Sequence, residues 1–106
     1  MSLPLSAPSR ARFGVERSAT GAFTGSFQVV GTPLDSIPNI IILDNQSTVV
    51  LQVSFNGTDI WKTFAIGQSL VLDVASDELL IAVGTQIYVK GTGGTGSFYA
   101  SIVYAG

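Results

Sequence analysis

The chain contains no cysteine and no histidine. The first absence excludes disulfide staples, thiolate metal sites and a cysteine nucleophile. The second removes the side chain most often used as a general base near neutral pH. Charge is scarce as well: 11% of the 106 residues are Asp, Glu, Lys or Arg, against about 25% in ordinary soluble domains. Long apolar runs are missing too. The most apolar stretches, residues 40–43 and 79–83, fall far short of the ~20 residues a spanning helix needs. No basic stretch followed by a long apolar one opens the chain, so no signal peptide is expected and synthesis in the cytoplasm is the default.

What is present is alternation. Val49, Leu51, Val53 and Phe55 alternate with Val50, Gln52 and Ser54; Phe98, Ala100, Ile102 and Tyr104 alternate with Tyr99, Ser101 and Val103. Successive strand side chains point to opposite faces, so this spacing fits β-strands with one face against a core. Strands are expected over 21–30, 39–44, 48–56, 60–66, 69–74, 86–90 and 97–104, with 79–83 as an eighth strand or, behind Asp77-Glu78, a capped helical turn. The breaks are turn-forming: Asn45-Gln46-Ser47 between the second and third strands, Asn56-Gly57-Thr58-Asp59 as a hairpin whose Asn-Gly tolerates positive φ, and Gly67-Gln68 as a tight turn. Turn signals every 8–12 residues mark an all-β sandwich or barrel. The expected fold is an antiparallel β-sandwich of about seven or eight strands, jelly-roll or immunoglobulin-like, with a small barrel as the alternative.

One domain is the natural count for this length, preceded by an arm of different character. Residues 1–20 hold Pro4, Pro8, four serines and three arginines against Glu16, a net charge of +2. Residues 21–106 hold Lys62 and Lys90 against five aspartates and Glu78, a net charge of −4. A basic arm on an acidic body suggests contact with another copy or with a different acidic surface. Leu3, Leu5, Phe13 and Val15 give the arm apolar groups that a purely solvated tail does not need. Arg10, Arg12, Phe13 and Arg17 are therefore the expected partner-contacting residues of the arm. A surface poor in charge also offers little repulsion against self-association.

Candidate chemistry is sparse. Gly91-Thr92-Gly93-Gly94-Thr95-Gly96 matches G-x-G-x-x-G, but a dinucleotide site requires a helix after the glycines. Here period-two alternation follows, so a flexible hairpin loop is expected. Asp35, Asp44, Asp59, Asp73, Asp77 and Glu78 sit mostly in or beside turns, where Asp bonds its own backbone; Asp77-Glu78 with a loop aspartate is the one conceivable calcium site. No catalytic residue, cofactor or metal is assigned. Trp61 lies on the strand face opposite Ile60 and Phe64. With Phe64 and Ile66 as the core candidates, Trp61 faces solvent or a partner, where Trp is an effective anchor. Trp61, Tyr88, Tyr99 and Tyr104 make carbohydrate a second partner class. Asn45-Gln46-Ser47 and Asn56-Gly57-Thr58 are formal glycosylation sequons, read as turns. Three arginines without an aromatic-basic face give no expectation of nucleic-acid binding.

Three stretches carry a resemblance: Ile40-Ile41-Ile42-Leu43-Asp44-Asn45-Gln46-Ser47 leading into Val49 to Phe55 and the Asn56-Gly57-Thr58-Asp59 turn; Gly67-Gln68-Ser69-Leu70-Val71-Leu72-Asp73; and Thr85-Gln86-Ile87-Tyr88-Val89-Lys90-Gly91 through the glycine loop to Phe98 and Tyr104. In these the body resembles small virion structural proteins of tailed bacteriophages. The resemblance implies a non-enzymatic β-sandwich that assembles in many copies on the particle. It would act as a capsid cement or decoration protein, or as a head–tail connector or tail subunit, with other virion proteins and copies of itself as partners. A carbohydrate-binding or adhesin module remains the alternative. Residues 1–20 lie outside the resemblance.

Overall fold

Alternation along the chain becomes two central strands in the computed structural model, which describes residues 12–14, 16–74 and 81–104. The described elements are β1 (Arg12–Phe13), β2 (Arg17–Thr20), β3 (Gln28–Val29), β4 (Pro38–Ser47), β5 (Leu51–Ser54), β6 (Lys62–Phe64), β7 (Ser69–Asp73), β8 (Tyr88–Lys90) and β9 (Gly96–Tyr104). There is no helix among the described residues.

Two antiparallel sheets result. In the first, β9 and β4 lie side by side, β7 flanks β4, and β1 and β2 run one after the other along the free side of β9. The second has the order β3-β8-β5-β6. The pairing is nested: β2 with β9, β3 with β8, β4 with β7 and β5 with β6. The chain thus behaves as one long hairpin whose two arms fold over together into two layers.

Burial follows parity. Ile41, Leu43, Phe98, Ala100, Ile102 and Leu72 point inward from the first sheet, and Leu51, Val53, Phe64 and Val89 from the second. Phe64 and Phe98 meet edge-on across the layers, centroids 5.7 Å apart at 87°. Each such side chain contributes about 1.5–3 kcal/mol by leaving water. A shift in register between Pro38 and Ile40 adds one residue to β4 before strict alternation begins at Ile41.

Several expected boundaries move. Residues 17–20 are paired with β9, so the expected arm-to-body boundary after residue 20 falls inside the sandwich. β4 runs through Asn45-Gln46-Ser47, paired with Phe98, Ser97 and Gly96, because Asn45 finds buried partners and the strand need not end there. Of the expected eighth strand, residues 81–83 are not extended into a sheet and the rest lies outside the described residues. Ile66 is 60% exposed, since β6 ends at Phe64 and the chain reverses over 65–68, with Gln68 N donating to Ala65 O at 3.0 Å and Gly67 at φ +79.

The glycine run is not a loose hairpin. It carries the chain from one sheet to the other and is bonded on two sides. Phe23 N donates to Gly94 O, Gly93 N to Phe23 O and Gly25 N to Gly91 O; Thr48 N donates to Thr95 O. Gly94 is buried, and a Cβ there would stand 2.4 Å from Val49 Cγ1. The glycine at that position is a packing requirement.

Candidate interaction surfaces

Arg17 and Ala19 alternate with Glu16, Ser18 and Thr20, and that parity turns Arg17 into the sandwich. Its side chain is 4% exposed. Nε donates to Thr32 O at 2.8 Å, and Nη2 donates to Pro33 O and to Tyr104 Oη, each at 3.2 Å. Asp35 Oδ1 stands 3.7 Å from Nη2. The stem lies against Gly31, where a Cβ would come within 2.7 Å of Arg17 Cβ; Gly31 also sits at φ +63. A guanidinium satisfied by two carbonyls, a phenol and a carboxylate ties β2 and β9 to residues 31–35. Arg17, expected to contact a partner, is committed to its own domain.

Of the other expected partner residues, Arg12 and Phe13 form β1, opposite Tyr104 and Val103. Arg10 lies outside the described residues. Trp61 is half-buried against the edge of the core. Its ring is 5.2 Å from that of Phe55 at 55°, with Lys62 Nζ 5.4 Å above it. Trp61 sits beside the second sheet, Tyr99 faces outward from the first and Tyr104 is buried. These rings do not share one platform.

Tyr104 is 3% exposed. Burial raises its pKa above the usual 10.0, a hydrogen bond with Asp35 adds to this, and the Arg17 charge opposes it. A phenol whose folded value is raised contributes stability that is complete below its unfolded value and lost as pH rises through the folded one. Unfolding free energy measured between about pH 9 and 11 should therefore fall more steeply in the parent chain than in Tyr104→Phe. Parallel pH profiles would remove this role for Tyr104.

The two sequons differ in kind. Asn45 is fully buried. Its Nδ2 donates to Val49 O, Phe64 O and Ala65 O at 3.0–3.2 Å, and its Oδ1 accepts from Ser47 N and Ser47 Oγ. This amide fastens β4 to the turns on either side of it and is inaccessible to modification in the folded chain. Asn56 is exposed; its Oδ1 accepts from Thr58 N and Asp59 N, closing the β5–β6 turn around Gly57 at φ +78. Sequence reading missed the buried amide because Asn-Gln-Ser looks like a turn wherever it occurs.

The outer sheet faces carry the remaining candidates. On the first sheet, Ile42 pairs with Val71 on one side and Ser101 on the other, and Asp44 pairs with Tyr99 and Ser69. Glu16 accepts a hydrogen bond from Ser101 Oγ at 3.2 Å. Glu16, Ile42, Asp44, Gln46, Tyr99 and Ser101 line an open depression of ≈ 400 Å³. The second sheet has a similar depression of ≈ 410 Å³ lined by Gly25, Val50, Gln52, Thr63, Lys90, Gly91 and Thr92. Beside it Phe27 meets Tyr88 edge-on at 6.3 Å, with Lys90 Nζ 4.9 Å above the Phe27 ring. Among the described residues no three acidic side chains gather as metal ligands; Asp77 and Glu78 lie outside them. No described helix is long and apolar enough to cross a membrane.

No protein-family model matches the chain, and neither a curated protein nor a solved structure matches it.

Proposed function

We propose that this chain is a non-enzymatic structural subunit of a tailed-phage virion, bound to the particle in many copies as a cement or decoration protein. The observation that carries the reading is the surface. Val29, Ile37, Ile42, Val50, Ile60, Ile66, Val71 and Val83 are all exposed large apolar side chains, on a chain with only twelve charged residues. Scattered single apolar residues are ordinary. An exposed apolar set with so few charges between its members favours association.

Of the two sandwich types expected, the nested antiparallel pairing across two sheets favours the jelly roll in this reading. Jelly rolls build both capsid and lectin domains, so the fold type admits the virion reading without establishing it. Many weak copies on one lattice gain avidity from effective concentration. The particle's other proteins and further copies of the chain are the partners in this reading, and the virion is its location.

A carbohydrate-binding module is the competing reading, favoured by the Phe27–Tyr88 pair beside the open depression. One experiment separates the two. Purified chain is mixed with heads of the phage whose genome encodes it and sedimented, and the same chain is applied to a glycan array. Stoichiometric co-sedimentation without glycan binding is the expected result. Saturable glycan binding lost in Tyr88→Ala, with no association to heads, would overturn the virion reading. A truncation used in that assay must stop before residue 12, since residues 12–13 and 17–20 are strands of the sheet.

A further inference from the structure

The outer face of the first sheet combines two features. At its centre Ile42 and Val71 are direct cross-strand neighbours, 37% and 64% exposed, with Ile40 and Val103 paired in the adjoining row. Around them stand the carboxylates of Glu16 and Asp44. Neither Lys nor Arg accompanies them among the described side chains that face outward from β2, β4, β7 and β9. This is an apolar band with an acidic rim. The corresponding face of the second sheet carries Lys90.

We propose that this face docks residues 1–11 of a second copy of the chain. The inference rests on the reading of the protein as an assembling subunit and names the surface and the segment involved. An occupant must bring apolar side chains, positive charge and an extended backbone. Residues 1–11 hold Met1, Leu3, Leu5 and Arg10, and no acidic residue. Pro4 and Pro8 fix φ near −65° and oppose helix formation, which lowers the entropy lost when an extended strand is ordered.

Length agrees as well. Eleven extended residues reach about 36–40 Å, and the ten residues of β4 span about 34 Å. β1 begins opposite Tyr104, the last residue of β9, and runs antiparallel to it.

Sedimentation velocity on the full chain tests this, with Val71→Lys, Asp44→Lys and Arg10→Glu compared with Thr63→Lys on the other sheet as a control. All four are checked for a parent-like thermal melt. The parent chain is expected to self-associate. Val71→Lys should raise the dissociation constant at least about tenfold by placing a charge in the apolar band. Asp44→Lys and Arg10→Glu should each raise it about two- to fivefold, as rim charges do, and Thr63→Lys should leave it unchanged. An excess of a peptide of residues 1–11 should compete.

A chain that stays monomeric at every concentration overturns the proposal. So does association indifferent to Val71→Lys. Association sensitive to Val71→Lys but indifferent to both Arg10→Glu and the peptide overturns it too, in favour of two sheet faces packing directly. Head co-sedimentation of the same variants keeps the two readings apart. A monomer that still binds heads defeats the docking alone, whereas self-association without head binding defeats the virion reading alone.

Discussion

Arg17→Ala is expected to lower the unfolding free energy by about 3 kcal/mol or more, and the melting temperature by roughly 12–24 °C for a domain of this size. At least three hydrogen bonds disappear at once, taking the charged donor from the carbonyls of Thr32 and Pro33 and from the hydroxyl of Tyr104. The bond to Tyr104 Oη is buried and the two to the Thr32 and Pro33 carbonyls are partly so; hydrogen bonds to a charged group contribute about 1.5–3 kcal/mol each, and less where water can replace the donor. The stem that packs on Gly31 is lost as well, and long cationic side chains stabilise partly through such packing. Against a total stability of about 5–15 kcal/mol this is a large fraction.

Two companions apportion the loss. Arg17→Met keeps most of the stem and should recover part of the stability. Asp35→Asn should cost less than about 1 kcal/mol, because the Asp35 side chain is 79% exposed and 3.7 Å away. Urea unfolding of the three variants measures this. A change within about 0.5 kcal/mol for Arg17→Ala, the range of ordinary surface substitutions, would mean that the guanidinium does not tie the layers together.

The second large effect belongs to Asn45. Asn45→Asp should destabilise the chain by about 3–5 kcal/mol at neutral pH, the range for an uncompensated buried charge. It removes the amide donor from among three carbonyl oxygens and installs negative charge in its place. Burial and those carbonyls both push the new carboxyl's pKa upward in the folded state. The sign follows from linkage: the charge penalty is absent below the unfolded value of about 3.9 and grows as pH rises toward the folded one. Asn45→Asp should therefore be relatively more stable in mild acid than at neutral pH. Asn45→Ala, which takes the amide from Phe64 O and leaves Val49 O and Ala65 O with only their bonds from Ser47 Oγ and Gln68 N, should lose about 1–3 kcal/mol with no such dependence. Denaturant midpoints at acid and neutral pH test both, and a flat difference between the two variants would rule out a buried carboxylate.

These two residues show where local reading stops. The strands of highest alternation were legible: Leu51 and Val53, and Phe98, Ala100, Ile102 and Tyr104, are buried as their parity requires. The Asn56-Gly57 and Gly67-Gln68 turns were legible for the same reason, because positive φ is a property of a residue and its neighbours. Trp61 was harder. Its strand shrank to Lys62–Phe64, so its placement came from the Phe55 ring and the core edge rather than from strand parity.

Period and turn chemistry, both local, were enough to make this an all-β chain and to say which side of each long strand is dry. Partners in the sheet were beyond that reach, since β2 meets β9 across about 80 residues of intervening sequence and nothing within either strand names the other. The fate of polar residues was settled at the same distance. Arg17 and Asn45 are inside because carbonyls from remote segments converge on them; without those acceptors burial would cost more than it returned, and both side chains would belong at the surface.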